Sequence, residues 1–197
     1  MAFDYMKATQ ALNYFAQKEG GAISRLKALK LIFFADRYHL RKHGRLITGD
    51  EYLAMRLGPV ASNTADIAGA TVFMEKEESE YRSKFITNKG ENDIESLKLP
   101  DLDVFSGSDI EAMGFAWDAF GKLSKWDASD ITHDYPEWFH HKPHLDANPR
   151  GRVSMILSDF LDDPVKEVDK CYELTDAEKE IRRDQIRERQ HLEALWA

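Results

Sequence analysis

Apolar residues recur at helical spacing from the start of the chain. Tyr5, Ala8, Leu12 and Phe15 predict a helix from about Asp4 to Lys18, ended by Gly20-Gly21. Ser24 is a candidate N-cap for a second helix that reaches His43 and stops at Gly44. Leu26, Leu29, Ile32, Phe33, Phe34 and Leu40 cover most of its circumference near the middle, which predicts a central helix packed on more than one side. From Ile47 to Val60 the chain reads as extended, with a turn at Thr48-Gly49-Asp50 and Tyr52, Ala54 and Arg56 alternating with Leu53, Met55 and Leu57. Ser62 or Asn63 opens a short helix that runs to about Ala70.

The pattern then changes. Glu75 to Glu78 is a solvated charge run, and Tyr81–Thr87 and Ile94–Leu99 flank a loop containing Gly90, predicting a β-hairpin ended by Pro100. Ser108 with Glu111 reads as a capping box opening a helix to about Leu123, with Ile110, Phe115, Trp117 and Phe120 toward the core. Ser129 or Asp130 starts a local turn, Phe139–Arg152 reads as loop, and Val153–Phe160 as a short helix. Thr175 and Glu178 form a second capping box before a terminal helix to Trp196. Its apolar stripe is sparse (Ala177, Ile181, Leu192, Leu195), as in a helix that is solvated, loosely docked or completed by a partner. The expected fold is α+β and predominantly α-helical, with a small antiparallel β-hairpin or sheet and a long C-terminal helix.

Composition narrows the class. With 197 residues, 43% hydrophobic and 31% charged, the chain suits one folded domain with some decoration. No apolar run approaches the roughly 20 residues of a bilayer-spanning helix, and the first residues lack a signal-peptide order, so the cytoplasm is expected and a membrane partner is not. The single cysteine, Cys171, leaves no intrachain disulfide and no multi-cysteine zinc site. Net charge is −8, unevenly spread. Between Ser24 and Arg45 seven basic residues face one acid, Asp36, leaving 20 basic against 34 acidic residues elsewhere. That window reads either as a positive stripe that docks an acidic partner or as a helix solvating its outer face.

No catalytic set emerges. His133, His140, His141 and His144 lie near Asp134 and Glu137, but without the spacing of a zinc scaffold. Asp36, His39 and His43 share one side of the second helix, where Asp36 could fix a histidine tautomer, yet no serine or cysteine is placed to act as nucleophile. Gly20-Gly21 is too short to cradle a nucleotide. A nucleic-acid partner would rest on the basic helix alone, against an acidic remainder. No cofactor or metal is expected.

The block from Lys30 to Val60 does point to a family. Lys30-Leu31, Phe33-Phe34-Ala35-Asp36, His39-Leu40, Gly44-Arg45, Thr48-Gly49-Asp50, Tyr52, Ala54 and Gly58-Pro59-Val60 resemble, in order, the signature of the SocA-like proteins, also called the Panacea domain and phage-associated proteins. Thr132-His133 with Trp138 resembles that family's second, shorter motif. Together they bracket a domain of about residues 5–145, followed by an extension, 146–197, that the motifs do not cover.

The resemblance implies an antitoxin, not an enzyme, that neutralises a cognate toxin encoded nearby by direct protein contact. Its alternative is an adaptor that delivers the bound toxin to a ClpXP-type protease; a metal- or histidine-dependent enzyme is the alternative of another class. In the antitoxin reading, Arg37, Arg41, Arg45 and Tyr52 are the contact candidates. Replacing Arg37 and Arg41 by Glu is then expected to abolish neutralisation without unfolding. Asp36, His39, Thr48, Asp50, Gly58, Pro59 and His133 are expected to hold the motif in shape.

Overall fold

A single helix, α2 (Arg25–His43), lies at the centre because its sequence leaves it no solvent face: Ala28, Leu31, Ile32, Phe33, Phe34, Ala35 and Leu40 are all buried. The computed structural model describes residues 3–196. Helix α1 (Tyr5–Lys18), capped by the Asp4 carboxylate on Lys7 N–H at 3.0 Å, precedes α2 and is joined to it through strand β1 (Ala22–Ser24). Gly44, at φ +74°, ends α2 and lets its N–H close on Leu40 O at 2.8 Å.

Strands β2 (Tyr52–Met55) and β3 (Gly58–Ala61) form a hairpin with Tyr52 opposite Ala61, and helix α3 (Ser62–Gly69) follows directly. Helix α4 (Lys76–Ser83) leads to the hairpin β4 (Ile86–Lys89) and β5 (Asp93–Ser96), where Gly90 at φ +63° makes the turn. Helices α5 (Gly107–Phe120), α6 (Lys125–Thr132), α7 (Pro136–Phe139) and α8 (Lys142–Ala147) come next, then strand β6 (Val153–Ser154), a 3₁₀ turn at Leu157–Leu161 and helix α9 (Asp176–Trp196).

The strands make two antiparallel three-stranded sheets, ordered β1-β5-β4 and β3-β2-β6. The fold is therefore α+β and mainly helical, with small antiparallel sheets and a long terminal helix, as the pattern predicts. An aromatic core surrounds α2. Phe33 meets Tyr52, Tyr135 and Phe160 at 5.7–5.9 Å between ring centres, and Phe34 stacks on Phe120 at 3.8 Å. No helix among the described residues is long and apolar enough to cross a membrane.

Several local expectations are corrected. The charge run after Met74 is the start of α4, opened by a capping box between Glu75 and Glu78, and the helix takes in Tyr81-Arg82-Ser83, which the pattern assigned to a strand. The box at the start of α5 uses Ser106 and Asp109 rather than Ser108 and Glu111. Residues 125–132 are helical under a Ser124 cap, the 139–152 loop contains α8, and Val153-Ser154 extends the second sheet instead of forming a helix. The Thr175–Glu178 box is present as read, with Glu178 Oε2 accepting from Thr175 N–H at 2.8 Å.

Candidate functional site

The signature residues fold into three buried polar nodes around α2. The first holds the turn after Gly44. Asp36 accepts from Ile47 N–H at 2.7 Å and from the Tyr52 hydroxyl at 2.8 Å, so one carboxylate ties the helix, the turn and strand β2 together. Complete burial pushes its carboxyl up to about 7, against the pull of those two donors. His39 directs Nδ1 at Arg45 O (2.8 Å), which fixes that nitrogen as the donor and leaves Nε2 to accept from Ser108 Oγ at 3.0 Å. Burial lowers the imidazole to about 4, so it is neutral near pH 7. Asp109 gathers the same corner, accepting from Arg45 Nη2 at 2.7 Å and Lys7 Nζ at 2.8 Å.

Asp50 forms the second node. It accepts from Thr64 N–H at 2.7 Å, Thr64 Oγ1 at 2.6 Å and Asn63 N–H at 3.0 Å, capping α3 from twelve residues before that helix begins. The expected cap at Ser62 or Asn63 is absent, because the residue in the cap position is Ala61 and has no side-chain oxygen. Thr48 joins the turn through its backbone: its carbonyl accepts from Asp4 N–H at 2.8 Å, and its buried Oγ1 has no partner among the described residues.

The third node is where the two sequence motifs meet. Lys30 is fully buried and donates Nζ to Pro59 O at 2.7 Å, and desolvation lowers its amine to about 7. Gly58 takes φ +95°, and a Cβ there would collide with Thr132 Oγ1 and lie 2.9 Å from Lys30 Nζ. His133 stacks on Trp138 at 3.9 Å, while Trp138 Nε1 donates to Met55 O at 2.8 Å and pins the hairpin. Burial also lowers the His133 imidazole, and its Nε2 has no hydrogen-bond partner among the described residues.

The expected positive stripe is not on the surface. Arg37 and Arg41 are fully buried, and Tyr52 is buried beneath the Asp36 node. Arg37 donates Nε to Glu137 Oε1 at 2.7 Å and Nη2 to Asp162 O at 2.6 Å, reaches Lys170 O, and lies 4.5 Å over the Tyr135 ring. Arg41 donates to Tyr172 O at 2.6 Å, Leu161 O at 2.7 Å and the Asp163 carboxylate at 2.6 Å. The two guanidiniums thus organise the chain's own 160–172 segment, whose carbonyls take the place of water. Of the four contact candidates, Arg45 keeps an exposed edge, with 22% of its side chain accessible.

Glu137, Asp109 and Asp163 are polar partners that sequence reading missed, since Glu137 and Asp163 are defined by groups far away in the chain and Asp109 serves distant Arg45 and Lys7 besides its local capping box. The histidines 140, 141 and 144 gather no companion ligands: among the described residues, no three His, Cys, Asp or Glu side chains form a metal-holding group.

Compared with known proteins, the chain matches the sequence model described as antitoxin SocA-like, Panacea domain, over residues 29–139. No curated protein and no solved structure matches it significantly. The matched stretch runs from within α2 through Thr132-His133 and Trp138, so it takes in Lys30, Asp36, His39, Asp50, Gly58 and Asp109 at the centres of the three polar nodes. The chain belongs to the SocA-like antitoxin family, built on the Panacea domain.

Proposed function

We propose that the protein neutralises a toxin protein encoded beside it by binding that toxin directly. The observation that carries this reading is the family match over more than half of the chain. The chemistry of the motif is consistent with it. Asp36, His39, Asp50 and Lys30 spend polar atoms on backbone, hydroxyl and amide partners inside the fold, as residues that shape a surface do. In this reading residues 5–145 carry recognition, and residues 146–197 form an extension that seals α2 through Arg37 and Arg41. Arg45 is the contact candidate that remains from the basic window.

The test is to induce the neighbouring open reading frame with and without this protein, then purify the pair through a tag on one partner. Growth arrest relieved by co-expression, with a stable complex recovered, supports neutralisation by occlusion. Relief with protease-dependent disappearance of the toxin replaces occlusion with delivery to a ClpXP-type protease. A harmless neighbour that does not co-purify overturns the antitoxin reading.

A further inference from the structure

Because most signature residues are internal, with Arg45 keeping an exposed edge, a partner has to read further surface. Val72 and Phe73, in the connection from α3 to α4, are 93% and 80% exposed. An adjacent Val-Phe pair held this far into water is an unfavourable use of apolar surface unless another surface covers it. The connection that presents it is firmly built. Thr71 N–H donates to Asp66 O at 3.1 Å and Thr71 Oγ1 to Asp66 Oδ1 at 2.9 Å, while Met74 tucks against the core. Ala70 sits at φ +53°, a conformation an alanine adopts only when its surroundings impose it. On the far side, the Glu75–Glu78 capping box starts α4, and Arg82 Nε donates to Ile67 O at 2.5 Å, clamping α4 to α3. The apolar tip therefore enters a complex already ordered, with little conformational entropy left to lose.

The rim is mainly acidic. Glu75, Glu77 and Glu80 are exposed and Glu78 is half-buried beside them. Lys76, the cation within this run, is paired with Glu80 at 3.7 Å. Arg25, which approaches Gly69, is turned to Glu91 O. An aromatic anchor within an acidic rim is complementary to an apolar pocket within a basic face.

We propose that Val72 and Phe73 anchor the toxin, inserting into an apolar pocket on a partner whose surrounding surface is basic. This rests on the antitoxin reading and names the surface and partner chemistry it uses. The probe is the purified product of the neighbouring reading frame, titrated against wild type, Phe73→Ala and the Glu77→Lys/Glu80→Lys variant, none of which touches the capping box. Phe73→Ala is expected to weaken binding by about 30-fold or more, as for an interface hot spot. Its circular dichroism and melting temperature should be unchanged.

The double charge reversal is expected to slow association by about 3–10-fold at low salt, with the difference fading near roughly 0.5 M salt. Wild-type binding with Phe73→Ala within about twofold of it overturns the anchor and leaves the antitoxin reading standing. Failure of wild type itself to bind or rescue overturns both. A wild-type dimer that Phe73→Ala dissociates assigns the tip to self-association and overturns the proposal as well.

Discussion

Replacing Arg37 by methionine keeps an unbranched apolar stem as far as the Nε position and removes the guanidinium, with its charge and every donor. The Glu137 carboxylate and the Lys170 carbonyl lose the Arg37 donor, and the Asp162 carbonyl is left with Arg41 Nη1 at 3.2 Å. Both members of the Arg37–Glu137 pair are fully buried, so the remaining carboxylate cannot be rehydrated without opening the core. Breaking such a pair costs about 3–5 kcal/mol, a large share of the stability of a domain this size. Glu137→Gln keeps an acceptor for Arg37 and is expected to cost about 1–2 kcal/mol. The double variant should be more stable than the sum of the singles by about 1–3 kcal/mol, because the second change removes the stranded charge.

Urea unfolding followed by tryptophan fluorescence and circular dichroism measures all four corners of this cycle. Acidity gives an independent sign. Burial already pushes the Glu137 carboxyl up, and losing Arg37 removes the largest of the groups that oppose it, leaving a backbone N–H and the more distant Arg41. A carboxyl with a raised folded pKa contributes stability that is fully present below its unfolded value and is lost as pH rises through the folded value. The deficit of Arg37→Met should accordingly shrink between pH 7.5 and pH 5. A cost below about 1 kcal/mol at pH 7.5, or singles that add to the double within about 0.5 kcal/mol, would refute the pairing argument. The same geometry argues against the charge-reversal expectation: Arg37→Glu with Arg41→Glu places two acids among buried carbonyls and is expected to unfold the protein, which a thermal melt would show.

Gly58→Ala should cost about 2–5 kcal/mol from strain plus collision with Thr132, whereas Gly90→Ala, also at positive φ but in open space, should cost about 1 kcal/mol, as thermal melts of the two would show. Asp50→Ala removes the α3 cap and strands the Thr64 donors, for an expected loss of about 2–4 kcal/mol by urea titration; a loss below about 1 kcal/mol would mean another group caps α3. Lys30, lowered to about 7 by burial, binds its proton less well folded than unfolded, so stability should rise with pH between about 7 and 10 by up to about 1.4 kcal/mol per unit, and Lys30→Met should flatten that slope.

Local signals exposed the elements whose ends and periods lie within a few residues of one another. Asp4, Gly44, the Thr175–Glu178 pair and the alternation at Tyr52–Met55 each act on their immediate neighbours, and each is found where the pattern puts it. Elements decided by distant contacts were not legible. Helix α4 looks like solvated charge because its anchoring bond, Arg82 to Ile67 O, reaches across to α3. Strand β6 exists because β2 offers it an edge, a fact about residues a hundred positions earlier. Asp50 caps a helix it does not adjoin.

The arginines carry the sharper lesson, because the warning was in the sequence. A helix whose apolar residues occupy most of its circumference has no outer face on which to solvate Arg37 and Arg41. Either the helix ends early or its basic residues are buried and satisfied from within. The second outcome needs many acceptors in a small volume, which a strand or helix cannot supply because its carbonyls are already paired. An irregular segment can, and 160–172 does so with free carbonyls and Cys171-Tyr172 at positive φ. The extension, in this light, is the complement of α2. Its sequence has to be irregular where it meets the arginines, and its terminal helix then docks by the same means, Arg182 donating to Arg41 O at 3.1 Å. Residues so occupied set the scaffold, and on the proposed antitoxin reading discrimination between partners falls to the exposed loops that the scaffold presents.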